Sequence, residues 1–330
     1  MAAERMRANL VLAALLVGAL GLSVVFGETA LSVAQYRAAF LHPASPPGVI
    51  LFAIRAPRAV CAALVGGALG VAGAVMQGLL RNPLAEPGVL GVSAWSASAA
   101  ALVIALGLGT AVGAVEAAAL GGALAAGGLV AALAARFREP ETLILFGVAL
   151  AALGGAMTAL IFNLSPSPIT IAEVLSWLQG SVANRDWRDM APELIPMAAG
   201  VALCAYAARG LRMLTLGEET AALSGLPMAR LRVAALAGAA LLTGASVALA
   251  GVIGFVGLAA PHIVRGSVSD DPARTLTPAA LAGAVLLTLA DLLARVIPSG
   301  EELRLGVVTA LFGAPLFAFI AWRAARSWRT

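Results

Sequence analysis

The chain has 330 residues, 61% hydrophobic and 12% charged, with a formal charge of +4, a pI near 10.0 and a mean hydropathy of +0.96. Soluble domains average about 45–50% apolar and about 25% charged residues, so lipid solvates most of this chain and no part is polar enough for a separate soluble domain. All 21 basic residues are arginines, scattered singly and in pairs without a basic stripe or aromatic platform, which excludes a nucleic-acid surface.

A membrane-crossing helix needs about 20 apolar residues. The apolar runs fit ten such spans: 9–27, 58–80, 91–109, 113–135, 142–163, 191–208, 230–250, 252–266, 277–296 and 305–323. The first follows Arg5 and Arg7 and reads as a retained helix, because its run is long for a cleaved leader and Phe26-Gly27-Glu28-Thr29-Ala30 is a poor cleavage site. An even number of spans returns the C-terminus to the side of the N-terminus. With both ends inside, only Arg37, Arg55, Arg58, Arg185, Arg188, Arg295 and Arg304 fall outside, against fourteen arginines inside. That bias obeys the positive-inside rule. The second span carries small residues at helical i, i+4 spacing, Gly66/Gly70 and Ala74/Gly78, which allow close backbone approach between helices in lipid.

Arg81-Asn82-Pro83-Leu84-Ala85-Glu86-Pro87-Gly88 then interrupts two apolar runs with two prolines and an Asn-Pro step, so the chain must turn. This is either a tight inner loop or broken backbone lining a transport path, since non-helical backbone is tolerated at membrane depth only where protein or water satisfies it. The outer segment from Ser165 to Asp189 places Trp177 and Trp187 around a short amphipathic stretch, as suits a helix at the interface. The longest inner loop, 209–232, contains Glu218 and Glu219, the helix-forming Ala221-Ala222-Leu223, and then Gly225 and Pro227. This pattern predicts a helix of about two turns with dipole-matched ends. Too short to be stable alone, and acidic where a lipid anchor would be basic, it reads as a docking element for a cytoplasmic partner. A faint internal echo, Ala72-Gly73 and Pro83 against Ala250-Gly251 and Pro261, suggests a weak inverted repeat of the transporter kind.

No constellation for catalysis is present. His42 and His262 lack a second ligand at helical spacing, Cys61 and Cys204 lie inside apolar runs, and no metal site is expected. Glu116, Glu173 and Asp291 fall near span ends, which argues against ion coupling. A chain without lysine cannot carry a Walker A sequence, so any ATP-driven step belongs to another chain.

Four long motifs now resemble one family. They are Arg55-Ala56-Pro57-Arg58; Gly73-Ala74-Val75-Met76-Gln77-Gly78 running on to Arg81-Asn82-Pro83-Leu84-Ala85-Glu86-Pro87-Gly88-Val89-Leu90-Gly91; Gly254-Phe255-Val256-Gly257-Leu258-Ala259-Ala260-Pro261-His262-Ile263-Val264-Arg265; and the stretch from Glu301 to Pro315. They are similar to the FecCD family, the permease subunits of type II ABC importers for siderophores, haem and cobalamin. The resemblance implies an all-α polytopic membrane protein of about ten helices, a single permease domain over 1–330, in the bacterial inner membrane with both termini cytoplasmic. It implies a homodimer around a central path, two ATPase subunits that hold the ATP and Mg, and no cofactor in this chain. It also implies a periplasmic substrate-binding protein whose acidic residues meet Arg55, Arg58 and Arg295.

The loop 210–229, through Leu214, Gly217, Glu218, Glu219, Ala221, Leu223, Gly225 and Pro227, would couple to the ATPase. Gln77, Asn82, Pro83, Pro87, Gly88, Pro261 and His262 would mark the path or its structural motif. Leu303-Arg304-Leu305-Gly306-Val307 departs from the usual Leu-Pro-x-Gly-Val and adds an outer charge near the docking face. The expected cargo is haem or another iron chelate, with cobalamin or a ferric siderophore as alternatives, and an ion-coupled secondary transporter as the alternative of a different class.

Overall fold

The computed structural model describes residues 2–327 except 138, 166, 215–216, 269–270 and 298–301. Its α-helices are α1 (Ala2–Val25), α2 (Val33–Leu41), α3 (Pro46–Val49), α4 (Ala56–Leu80), α5 (Val92–Ala105), α6 (Ala114–Arg136), α7 (Pro140–Leu164), α8 (Pro168–Leu178), α9 (Trp187–Leu214), α10 (Glu218–Leu223), α11 (Met228–Ala250), α12 (Val256–Val268), α13 (Pro272–Val296) and α14 (Leu305–Ser327). The ten expected spans correspond to α1, α4, α5, α6, α7, α9, α11, α12, α13 and α14. The chain is thus an all-α polytopic membrane protein.

Helices α4 and α11 form its centre. Residues buried within the structure make up 78% of the apolar window in Pro46–Leu80 and 83% of that in α11, against 11% in α1 and in α7, which therefore face lipid or another chain. Helix α4 packs antiparallel on α13, and the small residues make this possible. A Cβ on Gly66 would overlap the Gly283 carbonyl, and one on Gly70 the Ala279 carbonyl. Ala74 is buried with Ala260, Val264, Ala279 and Ala282 in a small-residue seam between α4, α12 and α13. Backbones this close gain dispersion contacts along the whole interface, which is what holds helices together where lipid removes the hydrophobic drive.

Sequence reading treated α5 and α12 as ordinary spans; the structure gives them 14 and 13 residues, too short to cross alone. The missing length is non-helical. After Leu80 the chain turns at Arg81 (φ 47°), and a 3-10 turn at Pro87–Leu90 leads to Gly91 (φ 79°), where α5 begins. Gly91 abuts Leu150 and Ala151, the middle of α7. Gly257, at the start of α12, lies so that a Cβ would sit 3.2 Å from the Leu69 carbonyl and 3.5 Å from Pro87 Cδ. Leu69 precedes the end of α4 by eleven residues, about 17 Å of helix. The segment 81–91 therefore re-enters to half depth, and α5 and α12 both start there.

The amphipathic helix expected on the outer side is α8, beginning earlier than the tryptophan-flanked stretch, with its start fixed by Ser167 Oγ accepting from Thr170 N–H. Sequence reading passed over α2, α3 and the π-helical turn Ile50–Arg55, although Ser32 and Gln35 form a capping box that opens α2. The internal echo falls on unlike local structures: Ala72-Gly73 lie inside α4 and Ala250-Gly251 at the end of α11, whereas Pro83 is in a turn and Pro261 inside α12.

Candidate functional site

Three regions gather the residues singled out above. The first lies where the C-terminal ends of α1 and α13 meet the N-terminal end of α4. Arg58 Nε donates to Asp291 Oδ1 and Oδ2 at 3.0 and 3.2 Å, its Nη2 to Asp291 Oδ1 at 2.8 Å, and both Nη atoms to the Glu302 carboxylate. Arg295, one helical turn past Asp291, pairs with that carboxylate at 3.1 Å and donates to the Ser23 carbonyl at 3.2 Å, to the Ser23 hydroxyl and to the Phe26 carbonyl at 3.4 Å. Arg55 donates to the carbonyls of Val24 at 3.2 Å, Val25 at 2.7 Å and Thr29.

The Ser23, Val24 and Val25 carbonyls are C-terminal acceptors of α1, and cations suit the negative end of its dipole. Arg55, Arg58 and Arg295 thus come together as expected, but as an internal network: Arg55 is 4% exposed, Arg295 7%, and the Arg58 side chain 11%. Sequence reading had assigned no site role to their partners Asp291, Glu302 and Ser23. Beside them a cleft of about 380 Å³ is lined by Phe26, Gly27, Glu28, Ala294, Arg295, Val296, Ile297 and Glu302.

The second region is the half-depth break. Gln77, 2% exposed on α4, donates to the Leu258 carbonyl at 3.3 Å and accepts from Arg265 Nη2 at 2.8 Å, so one amide ties α4 to α12 at both edges. Asn82 Oδ1 accepts from Leu84 N–H at 2.9 Å and the Asn82 carbonyl from Ala85 N–H at 3.1 Å, which shapes the turn around Pro83. Pro87 is buried, and Gly88 lies beside the Glu86 carboxylate. The Glu86 carboxylate lies near the Phe255 backbone N–H, between the two broken segments. Phe255 adopts φ 67°, a left-handed conformation that costs a bulky residue about 1–3 kcal/mol and persists only where its surroundings enforce it. Pro261 is buried and His262 half-buried on α12. Glu86 and Phe255 stood inside quoted motifs, but nothing local distinguished them.

The third region is the loop between α9 and α11. The expected two-turn helix is α10, six residues, shorter because Gly217 (φ 105°) and Gly225 (φ 80°) close it at both ends. Leu214 is 4% exposed and Ala221 fully buried, whereas Leu223 is 89% exposed. Leu226 N–H donates to the Ala221 carbonyl at 3.4 Å, folding the chain back toward Pro227, which precedes α11. One side of α10 is therefore anchored to the bundle, and the other presents a large apolar side chain. The backbone of Glu218 and Glu219 is helical; their side chains lie outside the described residues. At the same end Arg212 pairs with Asp271 at 2.8 Å, and Arg232 donates to the Ala134 and Phe137 carbonyls at 3.5 and 3.3 Å, capping α6.

A family model described as the FecCD transport family matches residues 13–323, nearly the whole of this arrangement. The chain belongs to the FecCD transport family. An ABC transporter permease of Bacillus subtilis, YvrB, is 40% identical over 85% of this FecCD chain and 81% of its own. The vitamin B12 import system permease BtuC of Escherichia coli is 37% identical over 98% and 97% of the two chains, and a Halobacterium salinarum cobalamin import permease 39% identical over 82% and 73%. A solved structure of a proposed metal-chelate type ABC transporter in an inward-facing conformation superimposes with TM-score 0.85 at 30% identity, over 96% of this chain and 98% of that one. This FecCD chain is accordingly a multi-pass permease of an ABC importer, a transport subunit rather than a catalyst.

Proposed function

We propose that this FecCD permease forms half of a homodimer that takes a large metal chelate from a periplasmic binding protein and passes it inward by alternating access, powered by two separate ATPase subunits. The observation that carries the reading is the half-depth meeting of 81–91 with the start of α12. Two broken backbones that meet at half depth through Gln77, Arg265 and close glycine contacts can rearrange without unfolding a full span.

Helix α10 is the element the ATPase grips, through Leu223 above all, and ATP and Mg stay on that partner. Helix α7 is the element that meets the second copy: Ala149, Ala152, Gly155, Ala156 and Ala159 lie exposed on it, small enough for close approach. The Arg58 end faces outward, by the charge bias, with both chain termini in the cytoplasm of a bacterial inner membrane. Within the network itself three arginines meet two carboxylates, Asp291 and Glu302, and the unmatched cation suits an acidic binding protein. Arg55 and Arg295 hold α1 in place, and Arg58 is the cation within a partner's reach.

For the cargo, cobalamin is the first candidate, because two similar permeases are named for vitamin B12 or cobalamin import. Haem, the cargo expected from the sequence, and ferric siderophores follow. Proteoliposomes holding the complete transporter, supplied with ATP on the cytoplasmic face, should accumulate one of these three chelates only when its binding protein is present. Uptake driven by a proton gradient without ATP would replace this reading with an ion-coupled transporter.

A further inference from the structure

We propose that Glu302 is a displaceable latch on Arg58: it holds the guanidinium while the permease is undocked, and a carboxylate of the acidic binding protein takes its place on docking. This rests on the binding-protein reading above and goes beyond it by naming the exchange and what the exchange releases.

The two carboxylates on Arg58 differ in kind. Asp291 projects from α13, is 1% exposed, accepts from Arg58 Nε and Nη2, and is shared with Arg295. Removing it would strand Arg295 and leave Arg58 with Glu302 alone. Glu302 is 25% exposed and lies on the stretch that leads into α14, outside any helix. Among the described residues it accepts from the two Nη atoms of Arg58, and it also lines the cleft that opens beside Arg295. At about 380 Å³, the cleft has room for an incoming acidic side chain.

The exchange is isoelectric at Arg58, one carboxylate for another, so the guanidinium is never left uncompensated. The cost of an unpaired buried charge therefore does not arise. Asp291 continues to hold Arg58 throughout.

The release has a direction. Three residues beyond Glu302, Leu305 N–H donates to the Gly180 carbonyl at 2.9 Å and Gly306 N–H to the Gln179 carbonyl at 3.0 Å, while Ser181 N–H donates to the Ala250 carbonyl at 2.8 Å. The start of α14, the end of α8 and the end of α11 are thereby joined backbone to backbone. Freeing Glu302 loosens the stretch entering this junction, next to Gly251 and the segment leading to Phe255. An acidic partner at Arg58 would thus be felt at the half-depth break through α14 and the 251–255 segment.

The test uses the full-length permease in nanodiscs and the binding protein of its own transporter, with affinity read by surface plasmon resonance. Glu302→Gln removes the competing charge and keeps the shape; it should tighten docking about tenfold, while Glu302→Asp stays near wild type. A spin label at position 303 should become mobile in wild type on docking, and be mobile in Glu302→Gln before docking. Docking by wild type with no gain in Glu302→Gln, or a label equally fixed in both undocked proteins, overturns the latch and leaves the docking reading intact. No docking by wild type overturns the docking reading itself, and the latch with it.

Discussion

Asp291→Asn perturbs the outer network at its most shared atom. Asp291 is 1% exposed and compensates both Arg58, through contacts of 2.8 to 3.2 Å, and Arg295, at 3.1 Å. Asparagine keeps the volume but not the charge. Arg58 would retain Glu302, whereas Arg295 would keep only carbonyls and the Ser23 hydroxyl. Removing one partner of a buried ion pair costs about 3–5 kcal/mol. With a melting point that moves by about 2 °C per kcal/mol in chains of this size, the expected fall is about 6–10 °C. Differential scanning fluorimetry of the detergent-solubilised permease measures it, with Arg37→Gln, an exposed position on α2, as the control. A fall below 2 °C would show that the network does not hold α1, α4 and α13 together. Arg58→Met with Asp291→Leu should not restore wild-type stability, because Arg295 still loses its carboxylate and Glu302 its guanidinium.

Gly73→Ala should abolish recovery of folded protein, since the new Cβ would overlap the Gly257 carbonyl; Gly67→Ala, whose Cβ meets Ala280 O at 3.5 Å, should fold and gain up to about 1 kcal/mol in melting experiments. Leu223→Asp should leave the melting temperature within about 1 °C, because the side chain is 89% exposed, and reduce ATPase copurification at least tenfold. Glu86→Ala removes the carboxylate beside the Phe255 N–H and should cost about 1–3 kcal/mol in stability, with Glu86→Gln recovering part of it. Equal stability of the two Glu86 variants and wild type would mean that the carboxylate does not join the two broken segments.

Hydropathy and punctuation determined much of this protein directly from its residues. The ten apolar runs, the interruption at Arg81–Gly88, the amphipathic helix α8 and the short acidic helix α10 all follow from local composition, which sets whether a segment prefers lipid and where a helix cannot continue. The grouping of Arg55 with Arg58 was visible because they share one turn of chain. Their partners were not: Asp291 and Glu302 stand 233 and 244 positions away from Arg58, and no periodicity links residues that far apart. So a pattern of outer arginines that reads as free docking charge became a buried network once α1, α4 and α13 were brought together.

Depth was equally hidden. An apolar run of adequate length reads as a full crossing whether its chain is helical or re-entrant, because lipid preference is averaged over the window. Only the contacts of Gly257 with Leu69 and Pro87, and of Gly91 with the middle of α7, put the starts of α5 and α12 at half depth. That placement needs glycine where backbones meet and a carboxylate where an N–H would otherwise go unpaired, conditions that exist only after the helices have packed.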